Sequence, residues 1–245
     1  MPADAPTILG TSMGFFATGR NPSDLRPSPL FDFAFELAGK PERPRLCHIP
    51  TAVGDNLTVI NSFYGAFAGT DVRTSHLTLF AMPNVEDMRA HLLAQDVIWV
   101  NGGSTANLLA VWRVHGLDEI LRECWEAGVV LGGVSAGSIC WHSSGTTDSF
   151  GPELKPITNG LGFLPYSNGV HYDAEAQRRP LFHQLIGNGT LPAGYATDNG
   201  VGIYYRGTEF VEAVSDRDDV AAYWVERNTD GEATETRIQP RRLSA

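Results

Sequence analysis

The chain has 245 residues, 42% of them hydrophobic and 19% charged, the balance of a globular protein long enough to bury a core without staples. Its formal net charge is −10, and its 18 Lys and Arg are scattered, which argues against nucleic acid or anionic membrane as the main partner. Cys47, Cys124 and Cys140 are odd in number and lack C-x-x-C spacing, so a disulfide framework is not expected and a reducing compartment fits.

The opening MPADAP has neither the basic nor the apolar region of a secretory signal, and no run of about 18 apolar residues could span a membrane. A cytoplasmic protein with no membrane or nucleic-acid partner is expected, as a monomer or homodimer. The absence of H-x-x-x-H and of a Cys pair predicts neither metal nor cofactor.

In chain order, Thr7–Gly10 reads as a strand ending in a Gly-containing loop, and Pro29–Ala38 as a helix closed by Gly39. Leu46–Ile49 is a strand stopped by Pro50, Asn56–Ala68 a helix, and Thr74–Phe80 a strand. Val85–Gln95 reads as a helix capped by Asn84. Val97–Val100 is continuously apolar, the mark of a central strand covered on both faces. Helices from about Thr105 to Val114 and from Asp118 to Ala127 follow, then a second buried strand, Val129–Leu131. This βαβα rhythm predicts a mostly parallel sheet with helices on both faces. From Ser143 to Gly169 the composition is that of loops. A helix at about Ala174–Ile186 and strands near 195–197, 201–205, 210–214 and 221–225 come next, and the polar tail after Asn228 reads as frayed. A single α/β domain over residues 1–245 is expected.

Gly133-Val134-Ser135-Ala136-Gly137 matches G-x-S-x-G between a buried strand and a helical stretch, the setting in which a serine stands on a sharp turn as a nucleophile. The small neighbours let the chain pass, and the N–H of Ala136 would face a developing oxyanion. A purely structural or phosphate-binding turn is the competing reading. Asn101-Gly102-Gly103-Ser104-Thr105 follows the other buried strand, so both loops meet at the carboxyl edge of a parallel sheet. Gly102 and Gly103 allow a backbone N–H to approach a substrate carbonyl and complete an oxyanion hole; Ser104 or Thr105 would cap the helix that follows.

A serine nucleophile needs a base. Among seven histidines, His171, near the end of an extended segment, is the best placed; His142 lies along the same helix as Ser135, and His183 falls inside another. For the group that orients the imidazole, Asp198 and Asp148 are preferred as carboxylates, and Asn199 could hold the ring as an amide.

These four motifs, in this order across about residues 45 to 205, resemble the peptidase E (aspartyl dipeptidase) and cyanophycinase family of serine peptidases. The resemblance implies a three-layer αβα sandwich with a class I glutamine amidotransferase-like (flavodoxin-like) core. It implies Ser135 as nucleophile, His171 as base, and an oxyanion hole near Gly103 and Ala136. It also implies a metal-free cytoplasmic enzyme whose substrate is a small peptide, cutting dipeptides with N-terminal aspartate. The family's substrate-contacting Gly-Gly-Asn-Thr loop reads Gly102-Gly103-Ser104-Thr105 here, which makes Gly102, Ser104 and Thr105 substrate-binding candidates, and its acidic triad member falls on Asn199. An acidic substrate residue would need a cation, for which Arg178 or Arg179 is the candidate. An esterase-type hydrolase and a non-catalytic binding protein on the same fold are the rival expectations.

Overall fold

A computed structural model of the chain describes residues 3–18 and 24–244; Met1 and Pro2, part of the segment read for a leader, lie outside the described residues. The main sheet has eight strands. From one edge the order is Arg241–Arg242, Glu209–Ser215, Val201–Arg206, Thr7–Thr11, Val130–Val134, Val97–Val100, Arg45–Ile49 and Arg73–His76. The last five run parallel, and Val201–Arg206 is antiparallel to both of its neighbours.

Period-two alternation assigns each side chain of the central strands to one of two apolar layers. Ile8, Cys47, Ile98, Val100 and Leu131 pack with Leu108, Leu109, Trp112 and Leu121 from the helices Thr105–His115 and Leu117–Glu126. Their neighbours Leu9, Leu46, Val97, Trp99 and Val130 face the opposite way, toward Leu30, Phe31, Phe63 and Phe67 of the helices Pro29–Leu37 and Leu57–Phe67. Helices therefore cover both faces, which is why the central runs read as continuously apolar.

Several boundaries differ from the sequence reading. The strand expected over Thr74–Phe80 ends at His76. The helix expected from Val85 begins at Met88, because Asp87 supplies the cap, accepting from the N–H of Ala90 at 2.9 Å. Asn84 instead pins the preceding loop, accepting from Thr78 N and donating to His76 O.

The larger correction is a second sheet of six strands in the region read as loop and tail. His142–Thr147, Lys155–Ile157 and Leu164–Gly169 are strands, and Ala233–Ile238 pairs antiparallel with Ala222–Arg227 instead of fraying. The helix after Ser135 spans only Ala136–Ile139, so His142 opens a strand and does not continue that helix. The architecture is a mixed α/β fold with several sheets. Among the described residues, no helix is long and apolar enough to cross a membrane.

Candidate active site

Three parallel strands, Thr7–Thr11, Val97–Val100 and Val130–Val134, deliver their carboxyl ends to one edge. There the chain turns sharply at Ser135, whose φ of 56° and ψ of −114° lie where a non-glycine residue is strained. Close packing enforces the turn: a Cβ on Gly133 would sit 2.3 Å from Gly137 O, and one on Gly137 would sit 2.2 Å from Val100 O. The N–H of Ser135 is held by Thr11 O at 3.0 Å, and the Thr11 hydroxyl donates to Gly133 O.

Ala136 and Gly137 are the first residues of the following helix, so their N–H groups have no intrahelical acceptor. The Asn101–Thr105 loop lies against this turn, with Gly102 so near that a Cβ there would stand 3.2 Å from Ser135 Cβ. Gly103 adopts φ of 134°, and a Cβ on it would meet Ala52 O at 2.4 Å, so the position admits only glycine. Its N–H has no acceptor among the described residues. Asn101 fixes the loop, donating to Gly102 O and meeting His48 Nε2 at 3.3 Å.

His171 also has positive φ, 53°. Its N–H donates to Ser12 Oγ at 3.1 Å, and its Nδ1 lies 2.6 Å from Asn199 Oδ1. With an amide oxygen as partner, Nδ1 carries the hydrogen and Nε2 keeps a free lone pair. Asn199 is anchored in turn, its own N–H donating to Asp173 Oδ1 at 2.8 Å. Among the described residues no hydrogen bond joins Ser135 Oγ to His171 Nε2. Both residues are tied to one dipeptide, Thr11–Ser12, and contacts of this kind tighten when substrate binds.

Two other histidines are excluded as bases by burial. Desolvation pushes His142 and His48 down to about 4, partly offset by hydrogen bonds to Ser138 O and Asn101. Both are neutral and enclosed.

The structure separates the remaining candidates. Asp198 turns away from the imidazole: its carboxylate accepts from Ala221 N at 2.9 Å and Tyr223 OH at 3.4 Å, because adjacent residues on an extended segment face opposite ways. Burial raises its carboxyl above the usual range, with a further push from Asp173. Asp148 is exposed at a groove shared with Glu175 and Gln177 and does not touch His171. Ser104 caps its helix, accepting from Asn107 N, while Thr105 is fully buried against Thr147 and cannot reach a substrate. Arg178 is also buried, its guanidinium donating to Thr146 O and Glu175. Arg179 pairs with Glu235 and stacks on Tyr172 and Tyr223. Sequence reasoning missed Thr11, Ser12 and Asp173. The rule that ligands gather at strand carboxyl ends, applied to the first strand as well, would have pointed to Thr11 and Ser12.

A hydroxyl on a strained elbow, N–H groups with nothing to bind in the turn and its neighbouring loop, and a histidine anchored through one ring nitrogen are the parts that acyl transfer through a serine requires, and the class these features define is a hydrolase of the serine type. Comparison with known proteins narrows the class. The profile of peptidase family S51 matches residues 20–213, and the chain belongs to that family, a serine-type peptidase. It is 47% identical over 186 residues to the uncharacterised peptidase YgaJ of Bacillus subtilis (strain 168), covering 76% of this chain and 80% of that one. It is 33% identical over 97 residues to peptidase E of Shewanella denitrificans, 39% of this chain and 41% of the relative. Two solved structures share the fold: a peptidase from an acI-B1 actinobacterium (TM-score 0.68, 15% identity, 96% of this chain and 95% of that one) and a peptidase E protein from Listeria monocytogenes EGD-e (0.59, 19%, 86% and 98%).

Proposed function

We propose that the protein hydrolyses short peptides, with Ser135 as nucleophile, His171 as general base and Asn199 as the group that orients it. The observation that carries this reading is the 2.6 Å contact between His171 Nδ1 and Asn199 Oδ1. It fixes the tautomer whose Nε2 accepts the proton of Ser135 Oγ as that oxygen attacks the scissile carbonyl. The oxyanion is received by the N–H groups of Gly103 and Ala136, each such donor contributing about 2.7–4 kcal/mol in comparable sites. The imidazolium then protonates the leaving amine, and water, activated by the same nitrogen, releases the acyl group. The core supports a three-layer αβα reading of the class I glutamine amidotransferase type, since helices pack on both faces of the sheet. Three free, buried cysteines support a reducing, cytoplasmic setting.

A requirement for N-terminal aspartate, which the resemblance to peptidase E implies, calls for a cation at the site. Arg178 and Arg179 are both engaged elsewhere, so the reading adopted is short peptides in general. The test is a dipeptide panel including Asp-X and X-Asp on the wild type, Ser135→Ala and His171→Ala. Loss of turnover in both variants is expected; turnover by Ser135→Ala equal to wild type refutes the proposal, and esters outrunning every peptide would favour an esterase.

A further inference from the structure

We infer that Ser12 is a positioning residue for the reaction, its hydroxyl clamping the backbone of the base to the strand end that anchors the nucleophile. The inference rests on the roles proposed for Ser135 and His171.

The hydrogen-bond accounting around Ser12 Oγ is closed. The oxygen accepts from His171 N at 3.1 Å, reaches Thr197 O at 3.0 Å, and lies 2.7 Å from Thr197 Oγ1. A hydroxyl has one hydrogen to give and two lone pairs. Ser12 therefore donates to the carbonyl of Thr197, and the Thr197 hydroxyl donates back to Ser12. Both residues are buried, so water does not compete. Thr197 O also accepts from Tyr172 N at 3.1 Å. The consecutive N–H groups of His171 and Tyr172 thus both end on the Ser12–Thr197 pair, which holds His171 at its strained positive φ.

Three pieces of chain meet at this pair. Ser12 directly follows Thr11, whose carbonyl holds Ser135 N. Its own N–H donates to Val201 O at 3.0 Å. Thr197 stands two residues before Asn199, which holds the imidazole. One buried hydroxyl therefore sets the distance between nucleophile, base and orienter without touching substrate. Removing it leaves the N–H of His171 without its acceptor and lets the residue relax toward an unstrained backbone, carrying the ring with it.

The test compares Ser12→Ala, Thr197→Val and their double variant with the wild type and Ser135→Ala, using the best dipeptide from the panel. A misplacement of about 1 Å costs roughly 100-fold in rate. Ser12→Ala should lower kcat by about 10- to 100-fold with KM held within about threefold, and Thr197→Val, which keeps the His171–Ser12 bond, by less. The double variant should fall short of the product of the two, because both act on one cluster. The acid limb of the pH–rate profile should stay in place, since no charge changes. A lowered unfolding midpoint with kcat unchanged would make Ser12 merely structural and overturn the inference. If Ser12→Ala does not fold, Ser12→Cys, whose thiol is a poor acceptor for the N–H of His171, carries the test, and an unchanged kcat there is equally fatal. Full activity in Ser135→Ala would instead sink the proposed function, so the two failures are distinct.

Discussion

Replacing Asn199 by alanine isolates the contact on which the proposed chemistry depends. The backbone should stay, because its N–H is held by Asp173 and its neighbour Asp198 is held by Ala221 and Tyr223. What disappears is the 2.6 Å acceptor on His171 Nδ1. In the ground state that contact orients a neutral ring; in the transition state, with the Ser135 proton on Nε2, it becomes a hydrogen bond from a cation. Hydrogen bonds to charged groups contribute about 1.5–3 kcal/mol net, which at 1.36 kcal/mol per tenfold predicts a loss of roughly 10- to 160-fold in kcat. KM should change little, because Asn199 does not meet substrate in this reading. Steady-state hydrolysis of a chromogenic dipeptide anilide, with kcat and KM separated, measures the effect. Asn199→Asp gives the complementary result: a carboxylate beside the imidazole favours its charged form, and the base works only when neutral. The acid limb of the profile should therefore move to higher pH, while the plateau holds or rises. An Asn199→Ala enzyme within threefold of wild type in kcat would refute the reasoning, since the ring would then need no orienter.

Two further predictions concern residues outside the chemistry. Arg178→Met should destabilise the fold by about 1–3 kcal/mol, because it leaves the buried carbonyl of Thr146 without its donor, whereas Glu175 is exposed and stays solvated. KM for Asp-X dipeptides should not change, and a selective rise in that KM would restore Arg178 to the substrate site. Asp96 predicts acid lability: burial opposes its charge, but hydrogen bonds from the Arg45 side chain and amide, with the Arg45 charge, hold its carboxyl below the usual range. Its stabilisation is complete above the unfolded value of about 3.9 and is lost as pH falls through the lower folded value, so urea midpoints of wild type and Asp96→Asn should converge below about pH 4.

The central sheet was legible because its chemistry is local. Val97–Val100 is apolar at every position since helices cover both faces, and the elbow glycines are dictated by space, since a Cβ on Gly133 or Gly137 would stand little more than 2 Å from a carbonyl oxygen. The second sheet was not. His142–Thr147 reads HSSGTT, residues that favour turns when exposed, yet here Ser144, Thr146 and Thr147 are buried between neighbouring strands, and Gly145 lets Asn168 O approach. Tertiary packing overrode turn preference there. The strand Ala233–Ile238 is polar because it lies at a sheet edge, where charged side chains face solvent and discourage further pairing. Ser135 and His171 could be named one at a time from their local setting. Their shared anchor at Thr11 and Ser12 is a contact across more than a hundred residues that no local pattern encodes.

Why an amide should stand at position 199 follows from its surroundings. Asp173 lies on its backbone N–H, and Asp198 precedes it, buried, with its carboxyl already raised by desolvation and by Asp173. A third carboxylate there would add like charge to a partly enclosed cluster, and one of the three would tend to hold a proton. An amide oxygen provides the lone pair that orients His171 and adds no charge. In the proposed mechanism Asn199 therefore supplies orientation alone, the part of a carboxylate's usual double role that adds no charge.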